Sequence, residues 1–267
     1  MFEVVECDFF TPTSYYDLEK DQCSVEVFFE DAAQEGEIKR ALSDAASLLG
    51  VTPQYKLTRI RKSDWAHSWK RFFHVERISE RIVIRPVWES YNAAPHECVI
   101  SIDPGMSFGT GKHATTKACL MLLDDLAREL PGASFLDMGC GSGILSIGAV
   151  MLGFKSVRGF DIDADSVRVA CENAELNGLS IPFYAADLKK AHAPARVVAA
   201  NILAPVLIEF RGSIAASVES HAEARLILSG ILDSQYAEVR RSFESVGFVE
   251  MRNLLVEEWR SGVFARG

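Results

Sequence analysis

The run Phe135-Leu-Asp-Met-Gly-Cys-Gly-Ser-Gly-Ile144 constrains the fold of this chain more than any other segment. An apolar strand leads into Gly139-x-Gly141-x-Gly143, and Asp161 follows 22 residues after Gly139, at the end of a second apolar stretch. Glycines at a strand-to-helix turn permit tight backbone geometry and close approach of a ligand. An acid at the tip of the next strand can accept hydrogen bonds from two ribose hydroxyls. A dinucleotide site reads G-x-G-x-x-G, whereas here the third glycine comes one residue early. The spacing therefore favours a nucleoside with a short charged tail, S-adenosylmethionine, over NAD. Asp137 and five glycines interrupt the apolar stretch 134–154, which reads as strand, turn and helix and not as a membrane span.

From about residue 96 apolar strands and amphipathic helices alternate. Strands are predicted at 97–102, 134–138, 156–161, 181–184, 196–200 and 225–229, and helices at 114–129, 143–152, 164–176, 204–218 and 233–245. Asp163 is the expected N-cap of the helix over 164–176, and Asn177-Gly178 its stop. Alternation of this kind implies a parallel sheet covered on both faces. Residues 248–256 and 259–265 read as a terminal hairpin that adds an antiparallel edge.

The first 62 residues read as a small α+β unit. It has a strand at Val25-Glu-Val-Phe-Phe29, a helix over 35–49 with Ile38, Leu42, Ala45, Ala46 and Leu49 on one face, and a strand at 55–61. Residues 63–95 read as a linker. They begin with a short helix in which Ser63 is a plausible cap and Trp65 and Trp69 share a face. The expected organisation is thus an N-terminal unit (1–62), a linker (63–95) and a catalytic-type α/β domain (96–267).

The chain's net charge of −9 argues against general nucleic-acid binding and suits a basic partner. One segment runs the other way. Residues 56–85 hold nine Lys/Arg against three acids, either a solvated linker face or a contact strip for an acidic or RNA-bound partner. Six scattered cysteines without a C-x-x-C pair suggest reduced thiols in a cytoplasmic protein, and the acidic N-terminus lacks a signal pattern.

Candidate site residues follow from their places at strand ends. Gly139, Gly141 and Asp161 are expected to bind the cofactor. Asp137 can serve an ammonium of the ligand, directly or through water, or cap the turn. Asp187, after Phe183-Tyr-Ala-Ala, is either an adenine-facing acid or a simple loop acid. Asn201 ends an apolar strand, where the ligand crevice of an open sheet lies. Its carbonyl oxygen can accept a hydrogen bond from an incoming amine and so aim the nitrogen lone pair, or the residue can cap the next helix. The loop Asp103-Pro-Gly-Met-Ser-Phe-Gly-Thr-Gly-Lys-His-Ala-Thr-Thr116 departs from a phosphate-binding loop, because His113 follows Lys112. It is expected to fold over a cofactor, with Phe108 as an apolar wall and Thr116 as a donor. His113 has no spaced partner for a metal and reads as a local hydrogen-bonding residue.

Together these residues resemble the ribosomal protein L11 methyltransferases. The resemblance rests on Asp64-Trp-Ala-His-Ser-Trp-Lys70, the loop 103–116, Leu136-Asp-Met-Gly-Cys-Gly-Ser-Gly-Ile-Leu145 and Asn201-Ile-Leu-Ala204, and covers about residues 63–267. It implies a Rossmann-like seven-stranded S-adenosylmethionine-dependent methyltransferase domain behind a ferredoxin-like N-terminal domain. It further implies N-methylation of lysines or the N-terminal amine of L11, and cofactor contacts at Thr116, Gly139, Asp161 and Asn201. Ala114 stands where the family usually has proline, and Arg196 where an acid commonly precedes the fourth strand. The N-terminal unit shows about β-β-α-β of the ferredoxin-like β-α-β-β-α-β. Two alternatives stay open from the residues: a methyltransferase for another protein, RNA or a small amine, and a non-catalytic S-adenosylmethionine-binding interaction protein.

Overall fold

The structure, a computed structural model, describes residues 13–17, 22–26, 35–48, 54, 73–103, 113–190 and 192–267. The chain divides into two compact units, Met1–Ala66 and His67–Gly267.

In the first unit β1 (Thr13–Asp17) pairs antiparallel with β2 (Gln22–Glu26), followed by α1 (Glu35–Leu48). The helix follows the predicted periodicity, with Ile38 and Ala46 buried. The strand read at 25–29 lies earlier, at Gln22–Glu26; its residues 27–29 fall outside the described residues, as does the strand read at 55–61.

The second unit contains two sheets. The larger consists of β6 (Ser134–Met138), β7 (Lys155–Asp161), β8 (Phe183–Ala185), β9 (Val197–Asn201), β10 (Arg225–Leu232), β11 (Phe248–Val256) and β12 (Trp259–Arg266). Their order is β11-β12-β10-β9-β6-β7-β8. Five strands are parallel, and β12 joins β10 and β11 in antiparallel fashion, which makes the predicted terminal hairpin an edge.

Period-two alternation sorts the strand residues onto two faces. Phe135, Val197, Ala199, Ile227 and Val263 pack with α2 (Ala114–Glu129), α3 (Ile144–Met151) and α4 (Ala164–Leu176). Leu136, Val198, Ala200, Leu226 and Phe264 pack with α5 (Ala204–Glu209), α6 (Arg211–Ala216) and α7 (Asp233–Glu244). Both faces are thus covered, as a mostly parallel sheet requires. One helix was expected over 204–218; the chain instead breaks at Phe210, whose φ of −99° and ψ of 16° leave the helical region between α5 and α6.

The smaller sheet is made of β3 (Glu76–Arg77), β4 (Ile82–Pro86) and β5 (Cys98–Ile102). β5 is the strand predicted at 97–102, yet it pairs parallel with β4 and not with the large sheet. The segment 76–86, read as linker, supplies the other two strands. Ile78, Ile82, Ile84, Ile100 and Ile102 join the same core as α2 and α3. Asp124 of α2, buried, secures this sheet. Arg81 Nε donates to its Oδ1 at 2.6 Å, and Ser79 Oγ donates to its Oδ2 at 2.5 Å. Such a buried acid is tolerable because its oxygens are paired.

Among the described residues no helix is long and apolar enough to cross a membrane.

Candidate active site at the carboxyl ends of the strands

β6 has β7 on one side and β9 on the other, so the strand order reverses there. In an open α/β sheet a crevice forms outside the carboxyl ends at such a reversal. Parallel pairing brings the ends of β6, β7, β8 and β9 to the same edge. That edge carries the glycine turn, Asp161, Asp187 and Asn201.

The glycine turn is backbone-built. Gly139, Gly141 and Gly143 have φ of 70°, 50° and 78°, in the left-handed region that β-carbon sterics disfavour for other residues. The Phe160 carbonyl at the end of β7 accepts from the amides of both Gly139 and Cys140 at 2.9 Å. Asn173 Nδ2 donates to the Ser142 carbonyl at 2.9 Å, so α4 also fixes the turn. Neither contact was legible beforehand; an amide placed among the apolar residues of the α4 face was the available signal for Asn173.

Asp161 ties the tip of β7 to the turn. Its Oδ2 accepts from the Gly141 amide at 2.9 Å, and its Oδ1 from the Asp163 amide at 3.1 Å. A carboxylate offers about four lone-pair sites; two are used, and two remain for a ligand. Asp163 caps α4 as expected, accepting from the Asp165 and Ser166 amides at 3.1 Å each. Gly178, at φ 67°, follows the Asn177 stop.

Asp137 lies beneath the turn and is 1% exposed. It accepts from Ser146 Oγ at 2.8 Å and from the Ser146 amide at 3.2 Å, which ties it to the first turn of α3. Burial pushes its carboxyl up to about 7, against the pull of the Ser146 bonds. The consequence for stability has a definite sign. An unfolded Asp ionises near its ordinary value, whereas the native carboxyl keeps its proton to about pH 7. Between those limits the native state binds more protons, so this group's contribution falls as pH rises. Asp137→Asn keeps an acceptor for Ser146 without the charge. Thermal melts should show the variant gaining stability relative to wild type between pH 4 and pH 8, by up to about 4 kcal/mol. An advantage that does not grow with pH would contradict this account.

Asn201 ends β9, and its Oδ1 is buried without a hydrogen-bond partner among the described residues. It does not cap the following helix: Leu203 occupies the cap position of α5, with no side-chain cap bond. Thr116 presents a second such group. It is 1% exposed at the start of α2, and its Oγ1 is likewise buried and unpartnered. Buried polar groups are nearly always paired, and each exception calls for an explanation.

The other candidates are placed as follows. Asp187 follows β8, where its Oδ1 accepts from the Lys189 amide at 2.9 Å, the bond of a loop acid. Phe108 lies outside the described residues, as do most of the loop 103–116 and both Trp65 and Trp69. His113 caps α2, its Nδ1 accepting from the Thr115 amide at 3.3 Å. Among the described residues no group of three His, Cys, Asp or Glu forms a metal cluster.

The described arginines of the basic segment 56–85 are engaged within the protein. Arg77 pairs with Glu97, Arg81 with Asp124, and Arg85 donates to Ser101 Oγ at 2.7 Å.

The sequence profile described as Ribosomal protein L11 methyltransferase (PrmA) matches residues 4–266. The chain belongs to this family. The match extends into the N-terminal unit, beyond the stretch 63–267 that carries the recognisable motifs. The chain is 40% identical over 252 residues to the ribosomal protein L11 methyltransferase of Geobacter sulfurreducens, covering 92% of this chain and 83% of that protein. It is 38% identical over 267 residues to the one from Streptococcus pneumoniae, covering 99% and 81%. The crystal structure of ribosomal protein L11 methylase from Lactobacillus delbrueckii subsp. bulgaricus superposes with a TM-score of 0.66 at 30% identity, covering 73% of this chain and 98% of that one. Family membership and this superposition agree with the Rossmann-like methyltransferase fold expected from the sequence.

Proposed function

We propose that this protein is an S-adenosylmethionine-dependent N-methyltransferase that acts on amino groups of ribosomal protein L11, at lysine side chains or the N-terminal amine. The observation that carries the reading is the buried, unpartnered Oδ1 of Asn201 at the carboxyl end of β9. An acceptor held dry and unpaired is suited to an N–H that arrives with the substrate.

The residues present fit the cofactor. Asp161 retains lone pairs for two ribose hydroxyls, and the left-handed glycines let the chain turn tightly from β6 into α3 beside it. The buried Thr116 hydroxyl supplies an unused donor. From their places in the sequence, Asp187 is proposed for the adenine side, and Phe108, outside the described residues, for an apolar wall. Ile162, which follows Asp161 and is 75% exposed, supplies apolar surface at the same strand end. When bound, S-adenosylmethionine supplies the methyl group and, as a sulfonium, a positive charge that disfavours a protonated amine beside it.

The protein's own contribution is orientation. A free lysine has a pKa of about 10.4, so its amine must arrive or become neutral before its lone pair can attack. Asn201 Oδ1 accepts one N–H and thereby points the lone pair at the methyl carbon. No strong base is required. A cytoplasmic setting follows from the substrate.

Transfer of a radiolabelled methyl group, offered separately to purified L11, ribosomal RNA and cell extract, tests the reading. Label is expected in L11; label confined to RNA, or to neither, would overturn it. Asp161→Ala should weaken S-adenosylmethionine binding by about 1.5–3 kcal/mol, the scale of charge-assisted hydrogen bonds. Calorimetry that finds unchanged affinity in the folded variant would remove Asp161 from the site.

A further inference from the structure

Ile202, the residue after Asn201, is held between two left-handed glycines on different elements. A β-carbon built on Gly139 would meet Ile202 Cγ2 at 2.7 Å, the end of a side chain that can turn aside. A β-carbon on Gly230 would instead meet backbone: the Ile202 carbonyl oxygen at 2.5 Å, its carbonyl carbon at 2.8 Å and its amide nitrogen at 3.0 Å. Gly230 has φ of 80° and sits where the register of β10 against β12 shifts, between Leu228 and Ile231. A bulge of this kind bends a strand and re-aims what lies beside it, and bulges concentrate next to active sites. The adjoining residue grips the same segment. The Ser229 carbonyl accepts from the Ile202 amide at 3.2 Å, and Ser229 is the register partner of Asn201. Ser229 Oγ lies 2.7 Å from Ser261 Oγ and donates to the Thr115 carbonyl at 3.3 Å, next to Thr116. All of Ser229 and Ser261 is buried.

We infer that Gly230, with Ser229 beside it, is a positioning residue for methyl transfer: its bare backbone lets the Asn201-Ile202 peptide close onto the β10 bulge and so sets where the Asn201 acceptor stands. The inference rests on the proposed role of Asn201. Any side chain at residue 230 must push the Ile202 peptide away, because backbone cannot rotate clear as a side chain can. A displacement of Asn201 of the order of an ångström then costs rate and not cofactor affinity.

The test is a double-mutant cycle in the full chain. Gly230→Ala is expected to lower kcat on L11 about tenfold to a hundredfold, with the S-adenosylmethionine Kd within about threefold of wild type. In the Asn201→Ala background the same substitution should have almost no further effect on kcat, since residues acting as a unit are not additive. If Gly230→Ala does not fold, Ser229→Ala adds no atoms and leaves the glycine in place. It is expected to lower kcat about fivefold in wild type and not at all in Asn201→Ala. Equal losses on both backgrounds, or wild-type kcat in the single variant, would overturn the inference while leaving the role of Asn201 intact. An Asn201→Ala enzyme that turns over like wild type would instead remove the parent reading, and this inference with it.

Discussion

Asn201→Ala is expected to cut turnover on L11 about a hundredfold while binding S-adenosylmethionine nearly as wild type does. The two effects separate because the residue's acceptor orients the incoming amine, an interaction realised on the way to the transition state. Stability should move in the opposite direction from activity. The Asn201 Oδ1 is buried without a partner, and such an atom costs roughly 1–3 kcal/mol. Removing it should leave the melting temperature of the ligand-free protein at or above the wild-type value, the trade-off common where an active site is held ready at a cost. Turnover near wild type in the folded variant would remove the orienting role.

The second large effect concerns the N-terminal unit. A chain beginning at Ser63 should bind S-adenosylmethionine as the full chain does, yet fail to methylate L11. Every assigned site residue lies after residue 103. Among the described residues, the apolar clusters of the second unit begin at Ile78. We propose that the N-terminal unit holds the protein substrate, because no cofactor motif falls within it. The comparison is calorimetry with the cofactor beside a methylation assay on L11. Full methylation by the shortened chain would place recognition within the remaining residues, the basic stretch up to Arg85 foremost.

The parts of the fold legible in the sequence are those encoded locally. The α2 helix runs from Ala114 to Glu129 as its periodicity predicts, and α4 begins at the Asp163 cap and stops at Asn177-Gly178. The glycine turn and Asp161 stand where an apolar strand followed by G-x-G-x-G places them, and the hydrogen bond from Gly141 to Asp161 joins the two. What the sequence hid depends on distant partners. Residues 98–102 have the apolar run of a buried parallel strand, but nothing local says that β4 and not β6 lies beside them. The strand at Ile82–Pro86 sits in an arginine-rich stretch that reads as solvated linker. Only the fold shows that Asp124, about forty residues on, receives Arg81. The Gly230 bulge looks in sequence like an ordinary glycine in a strand; its meaning appears only where Ile202 fills the space of the missing side chain. For Asp137, capping and ligand contact were equally compatible with the sequence, and the fold adds two bonds from Ser146 that the sequence did not show.

The central claim, that an amine of ribosomal protein L11 receives the methyl group with Asn201 orienting it, is tested most directly by tandem mass spectrometry of L11. The protein would be incubated with S-adenosylmethionine and either the wild-type enzyme or Asn201→Ala. The account predicts methyl groups on amine nitrogens of L11, at lysine side chains or the N-terminus, with wild type, and at most a trace with the variant. Unmodified L11 with the active wild-type enzyme, methylation at a position that is not an amine, or equal methylation by both enzymes would contradict it.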